Sequence, residues 1–94
     1  MILTWLQVEL LIMVTRRHGE TGRFPSLIEI AGELHVNRNA IPAMLRQLER
    51  LGAVRLDPPQ GTGREAMSYA RRLHVLIDEE TIALGGAEQP MLFE

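Results

Sequence analysis

Hydrophobic residues recur at helical spacing over residues 2–17, and this pattern predicts a first helix there. The helix would carry two apolar stripes, one at Leu3, Leu6, Leu10 and Met13 and the other at Trp5, Val8 and Ile12. One stripe is enough to pack a helix against a core. The second therefore predicts a dimer interface with another copy of the chain. Alternatively, Trp5 is partly buried by the packing of the first helix itself.

A second helix is predicted over residues 26–35, after the breakers Gly19 and Gly22. Its start has capping-box spacing, since Ser26 is followed three residues later by Glu29. The residues expected on its buried side are Ile28, Ile30, Ala31 and Leu34.

The third predicted helix runs over residues 38–51 and stops at Gly52. Its apolar residues, Ile41, Met44, Leu45, Leu48 and Leu51, fall on one side of a helical wheel. The opposite side is shallow and polar, and comprises Asn39, Pro42, Ala43, Arg46 and Arg50. Asn37 is the expected cap, although it could instead contact a ligand. Pro42 has no N–H, and this costs no intrahelical hydrogen bond only if Pro42 lies in the first helical turn.

Beyond Gly52, two alternating runs flank a loop rich in proline and glycine, and they predict an antiparallel hairpin of residues 53–57 and 69–77. A short helix in REAMSYARRL is the alternative. The fold class is therefore mainly α with a small β-hairpin. Residues 1–80 are expected to form one domain, and residues 81–94 an acidic, flexible tail.

The charge distribution changes the picture given by the net charge of −2. All ten arginines lie between Arg16 and Arg72, a segment with six acidic residues, so its net charge is +4. The remaining residues contain six acids and no basic side chain, which makes them −6. A basic body is compatible with a phosphate-facing surface. Because the chain has no lysine, a coding bias toward arginine is an alternative explanation.

Composition and motifs exclude several classes of protein. No cysteine is present, so disulfides and thiolate metal sites are ruled out and a cytoplasmic location is expected. The apolar start lacks the features of a secretory signal and is too short for a membrane span. The histidines His18, His35 and His74 have no metal-ligand spacing. No nucleotide-binding or hydrolase motif occurs, so neither a cofactor nor an enzymatic activity is expected.

The segment IAGELHVNRNAIPAMLRQLERLGAV resembles the helix-turn-helix of bacterial MarR and GntR repressors. Upstream, LT-x-x-Q-x-E-x-L and TG-x-x-PS-x-x-EIA resemble, without a gap, the amino-terminal DNA-binding domain of the LexA repressor. The similarity covers residues 3–57. It implies a winged helix-turn-helix that binds double-stranded DNA as a homodimer, in a bacterial or phage transcriptional repressor associated with the nucleoid. Three departures are a turn one residue shorter, His35 in place of glycine, and no self-cleaving domain.

A helix of this kind places its first turns against base edges in the major groove. Asn39 and Arg46 are the expected readers of adenine and guanine, with Pro42 and Ala43 as close apolar contacts. The residues expected to contact the DNA backbone are Ser26, Arg38, Arg50, Arg64, Arg71 and Arg72. Arg50 could equally belong to a solvated helix face.

The last residues allow a different function, that of a winged-helix protein–protein adaptor. Gln89, Leu92 and Phe93 lie in a QPMLF segment that resembles the peptide by which bacterial replication and repair proteins bind the sliding clamp. The plain alternative is that Met91 to Phe93 fold back onto the domain.

Overall fold

The computed structural model of the protein describes residues 2–63 and 68–85. These residues are mainly helical and include one two-stranded antiparallel sheet, which confirms the predicted class. The helices are α1 (Trp5–Thr21), α2 (Leu27–Leu34), α3 (Ile41–Arg50), α4 (Tyr69–Arg72) and α5 (Glu79–Ala83), with a 3-10 turn at Arg38–Ala40. The strands are β1 (Val54–Leu56) and β2 (Leu73–Val75). None of the helices in these two ranges combines the length and hydropathy needed to cross a bilayer.

Helix α1 starts and ends later than the predicted bounds of 2–17, which were wrong at both ends. It begins after Thr4 because Thr4 and Gln7 form a capping box. The Thr4 Oγ1 accepts a hydrogen bond from Gln7 N at 3.2 Å, and the Gln7 Oε1 accepts one from Thr4 N at 2.9 Å. The helix continues to Thr21 and ends at Gly22, whose φ of 82° is the left-handed conformation of a C-terminal cap.

The buried face of α1 differs from both predicted stripes. Its buried residues are Gln7, Leu10, Leu11 and Val14, together with Leu3 just before the helix. Leu6 and Met13, predicted for the core, are only half-buried. The polar Gln7 can be buried because its amide oxygen is used by the cap, so a polar residue lies where periodicity alone expects an apolar one.

Helix α2 forms with the predicted capping box. The Ser26 Oγ accepts from Glu29 N at 3.2 Å, and the Glu29 Oε1 accepts from Ser26 N at 3.0 Å. His35, which stands where the resembling families have glycine, ends the helix at a φ of 57°, a left-handed conformation that costs a histidine some strain. Ile30 and Ala31 are buried as predicted, whereas Ile28 is 64% exposed. The prediction of a core position for Ile28 was wrong.

The predicted single helix over residues 38–51 is divided in two. A 3-10 turn at Arg38–Ala40 precedes α3, which spans Ile41–Arg50 and is followed by the cap residue Leu51 and by Gly52 at a φ of 82°. Pro42 causes this division, because its missing N–H and its ring are tolerated only in the first turn of an α-helix. The apolar side of α3 is deeply buried, with Ile41, Leu45 and Leu48 all at 0% exposure.

The two strands pair with Val54 opposite Val75 and Leu56 opposite Leu73. The second strand is much shorter than the predicted 69–77, since residues 69–72 form α4 and the pairing ends at Val75. The alternative of a short helix was therefore correct for Tyr69–Arg72. Ser68 starts this helix by accepting a hydrogen bond from Ala70 N at 3.2 Å.

Helix α5 crosses the domain boundary predicted after residue 80. Ile82 is fully buried in the core, and α5 packs along α1. Leu3 N also donates a hydrogen bond to Gly85 O at 2.8 Å. Residues 81–85 of the predicted tail are thus part of the packed unit, whereas residues 86–94 lie outside the described residues.

Candidate nucleic-acid interface

One side of the 3-10 turn and α3 forms an open surface, here called the α3 surface. It consists of Arg38, Asn39, Pro42, Ala43, Arg46 and Arg50. Pro42 is half-buried and the other five residues are exposed. Asn39, Ala43, Arg46 and Arg50 follow one another at spacings of four and three residues, so they form one stripe along the axis. The burial of the opposite face fixes this stripe toward solvent.

Asn37 and Asn39 have different positions in the turn. The Asn37 Oδ1 accepts a hydrogen bond from Asn39 N at 2.8 Å, so Asn37 is the cap that the sequence predicted. Only the backbone of Asn39 takes part in this bond. Its exposed carboxamide therefore projects from the start of the stripe and is free to contact a ligand.

The α3 surface carries three arginines and no acidic residue. The acidic residue of α3, Glu49, is directed toward the sheet, where its Oε2 accepts a hydrogen bond from Leu56 N at 3.1 Å. On α1, by contrast, Arg17 is paired with Glu29 at 3.3 Å and with Glu33 at 2.8 Å. Positive charge on the α3 surface is thus not cancelled by a carboxylate of the same helix.

A groove of about 530 Å³ adjoins the start of the α3 surface. It is lined by Ser26, Leu27, Ile28, Arg38, Asn39, Pro42, Ser68 and Tyr69. Sequence reasoning missed Ser68 and Tyr69 as members of this region, because it placed Ser68 in the loop and Tyr69 at the start of a strand. The cap-forming Ser68 before a short helical run was the signal that could have placed them.

The start of α2 is a poorer anion site than the sequence suggests. The Glu29 carboxylate accepts the backbone N–H of Ser26, and hydrogen bonds from the Ser26 backbone and side chain lower the pKa of Glu29. A carboxylate that stays ionised at this helix end repels a phosphate. The Ser26 hydroxyl is also bonded to Glu29, so this helix end is already occupied.

The base of the strand pair is held by a cluster around Asp57. Asp57 N donates to Arg72 O at 2.8 Å, and Arg72 Nε donates to Asp57 O at 2.7 Å. The Asp57 carboxylate lies 2.7 Å from His74 Nε2 and 3.0 Å from Arg55 Nε. The hydrogen bond with His74, followed by that with Arg55, lowers the pKa of Asp57.

Arg72 also lies over the ring of Tyr69, with 5.2 Å between its guanidinium carbon and the ring centroid. The contacts of Arg72 therefore hold Tyr69 and the ends of the two strands in place. Its neighbour Arg71 is exposed on α4. Arg64, the third arginine expected near the loop, lies outside the described residues, as do Gln89, Leu92 and Phe93.

A second groove, of about 620 Å³, runs along the outer face of α1. Trp5, Val8 and Ile12, the predicted dimer residues, all line it, and Leu34 and Ala83 border it from α2 and α5. Trp5 is 78% exposed. The alternative that Trp5 is buried by its own domain was therefore wrong.

Within residues 2–63 and 68–85, no group of three or more histidine or acidic residues is arranged to hold a metal ion. No protein-family model, curated protein or solved structure matches this chain. Its function has to be inferred from the α3 surface and the two grooves.

Proposed function

We propose that the protein is a winged helix-turn-helix that binds double-stranded DNA in a sequence-specific manner, and that it acts as a dimeric transcriptional repressor. The observation that carries the proposal is the α3 surface, an exposed stripe of asparagine, alanine and arginine on a helix whose opposite face buries Ile41, Leu45 and Leu48. An α-helix fits the major groove of B-DNA, and such a stripe suits the edges of base pairs.

Each part of the α3 surface has a distinct expected contact. The Asn39 carboxamide can form two hydrogen bonds with adenine, and the Arg46 guanidinium can form two with guanine. Pro42 and Ala43 lie between them and carry no long side chain, so the helix can approach a thymine methyl group closely. These two bidentate contacts account for base discrimination, while the remaining contacts fix the position of the protein on the duplex.

The residues around the stripe supply contacts to the phosphates. Arg38 lies at the N-terminal end of the α3 surface and Arg50 at its C-terminal end, so their separation suits phosphates on either side of a groove. Arg71 is exposed on α4, and Tyr69 lines the groove next to Asn39. We therefore add Ser68 and Tyr69 to the proposed backbone contacts and give Arg72 the task of orienting Tyr69.

Selection from a random duplex pool, with binding measured as a function of salt, tests this function. A sequence-specific reader should enrich one motif, and affinity should fall steeply with salt because phosphate contacts release counterions. The motif should be a palindrome whose half-sites lie about one helical turn apart if the protein binds as a dimer.

Variants of the α3 surface separate the two kinds of contact. Arg46→Ala should relax the preference at one base position, whereas Arg38→Ala should weaken binding to all sequences and reduce the salt dependence. Gln47→Ala is the matched control, since Gln47 is an exposed neighbour outside the stripe. Absence of binding even at low salt would refute the proposal and favour a protein partner for this surface.

A further inference from the structure

The groove on α1 has a lining whose order is symmetric along the helix. Eight of its residues belong to α1: Trp5, Val8, Glu9, Ile12, Met13, Arg16, Arg17 and Glu20. The midpoint of this set lies between Ile12 and Met13. Every lining position on one side of the midpoint has a counterpart at the same distance on the other side.

This symmetry has a geometric consequence. Successive helical residues are rotated by a constant angle and rise by about 1.5 Å, so positions equidistant from the midpoint lie at equal heights and at mirror-related angles. A twofold axis perpendicular to α1, passing beside the helix at the height of the midpoint, would place each position at the same height as its counterpart on an antiparallel copy. Counterparts meet where both lie near the centre of the face, as Glu9 and Arg16 do. Glu9 would then lie opposite Arg16 of the copy, about 5 Å along the helix from the axis.

The residues brought together in this way are chemically complementary. Two Glu9–Arg16 ion pairs form in each dimer, and Ile12 and Met13 of both copies surround the axis as an apolar centre. Trp5, whose indole N–H is a hydrogen-bond donor, lies opposite the carboxylate of Glu20. An isologous interface requires a patch that is complementary to itself, and the outer face of α1 meets this requirement.

The charged residues of this face are also available for such contacts. Glu9 and Arg16 are exposed and have no ion-pair partner within the described part of the chain, while Arg17 is already held by Glu29 and Glu33. An exposed tryptophan beside apolar residues is typical of a surface that binds a partner, and the unpaired charges next to it can fix the orientation of that partner.

We propose that the occupant of the α1 groove is α1 of a second copy of the chain, packed antiparallel about a twofold axis between Ile12 and Met13. This pairing deepens the homodimer of the proposed function, on which it rests, by stating which residues meet. None of the groove residues belongs to the α3 surface, so the two surfaces can act at the same time.

Charge reversal provides the test, with the dimer dissociation constant measured by analytical ultracentrifugation without DNA. Glu9→Arg and Arg16→Glu each place two pairs of like charges across the axis, and each should weaken dimerisation about tenfold. The double variant restores opposite charges and should return the dissociation constant to within about threefold of the native value. Gln47→Arg, which adds a positive charge on α3, is the control and should dimerise like the native protein.

Several results would overturn the pairing: a native protein that stays monomeric, single reversals without effect, or a double variant as weak as the singles. Circular dichroism melts of all variants show whether each one folds. If the chain dimerises only after truncation beyond Gly85, residues 86–94 are the occupant instead. A dimer that binds no DNA would refute the proposed function alone. A monomer that binds DNA would refute the pairing and the dimeric state, and would leave the DNA binding of the proposed function standing.

Discussion

Asn37 and Asn39 should give opposite phenotypes when each is replaced by alanine. Asn37→Ala removes the acceptor that lies 2.8 Å from Asn39 N and leaves this amide, the second of the turn, without its cap. Loss of such a cap costs about 1 kcal/mol, which for a domain of this size lowers the melting temperature by roughly 4–8 °C. Its effect on base preference should be small, because the Asn37 side chain is used inside the turn.

Asn39→Ala should have the reverse effect. The backbone N–H that meets Asn37 is retained, and the Asn39 side chain is exposed, so the stability should change by no more than about 0.5 kcal/mol. Loss of a bidentate contact to adenine removes ~1–3 kcal/mol of discrimination, or roughly 5- to 150-fold in affinity for the selected site over a one-base variant.

Calorimetry gives the melting temperatures of both variants, and competition binding against one-base variants of the selected site gives their base preferences. The reasoning fails if Asn39→Ala lowers the melting temperature as much as Asn37→Ala does. It also fails if Asn39→Ala keeps the full preference at every base position. The first result would mean that Asn39 is structural, and the second that another residue reads the DNA.

Three further predictions concern stability. Because the pKa of Asp57 is lowered in the folded state, its contribution to the free energy of unfolding is present above the ordinary pKa of 3.8 and is lost as the pH falls through the lowered pKa. Asp57→Asn should therefore weaken the loss of stability at acid pH, measured by urea titrations at a series of pH values. An unchanged loss would contradict this. Ile82→Ala should cost ~2–5 kcal/mol by denaturant unfolding, whereas a loose α5 would tolerate it. Gly52→Ala should destabilise the protein by ~1–2 kcal/mol, because the φ of Gly52 is 82°. Gly32→Ala should stabilise it by ~0.5–1 kcal/mol, because Gly32 lies within α2 and has open space around it. Equal effects of the two substitutions in thermal melts would refute the conformational argument.

The features that could be predicted from the sequence are those decided within a few residues. The Ser26–Glu29 capping box, the cap at Asn37 and the stop at Gly52 all depend on local hydrogen bonds and backbone angles. The α3 surface could be predicted for the same reason, because a strongly two-sided helix exposes whichever face is not apolar. The division of the predicted helix 38–51 before Ile41 follows from Pro42 alone.

The features that could not be predicted depend on partners distant in sequence. Residues 69–72 alternate as a strand would, but Arg72 is tied to Asp57, fifteen residues away, and lies over the Tyr69 ring. This contact favours a helical turn before β2. Likewise, α5 is held by the burial of Ile82 and by the hydrogen bond from Leu3 N to Gly85 O. The acidic composition of this region indicates neither interaction.

The buried face of α1 was also predicted wrongly, and the correct assignment bears on the proposed dimer. A hydrophobic stripe beginning at Leu3 continues through Leu6 when apolar character alone is counted, yet the helix buries Gln7 instead. The capping bonds between Thr4 and Gln7 make that burial possible and thereby set which side of α1 turns inward. Once Leu10, Leu11 and Val14 follow Gln7 into the core, the outward face must carry Trp5, Glu9 and Arg16. The outward position of the α1 groove thus follows from the burial of Leu10, Leu11 and Val14, together with a polar residue that the cap allows to be buried.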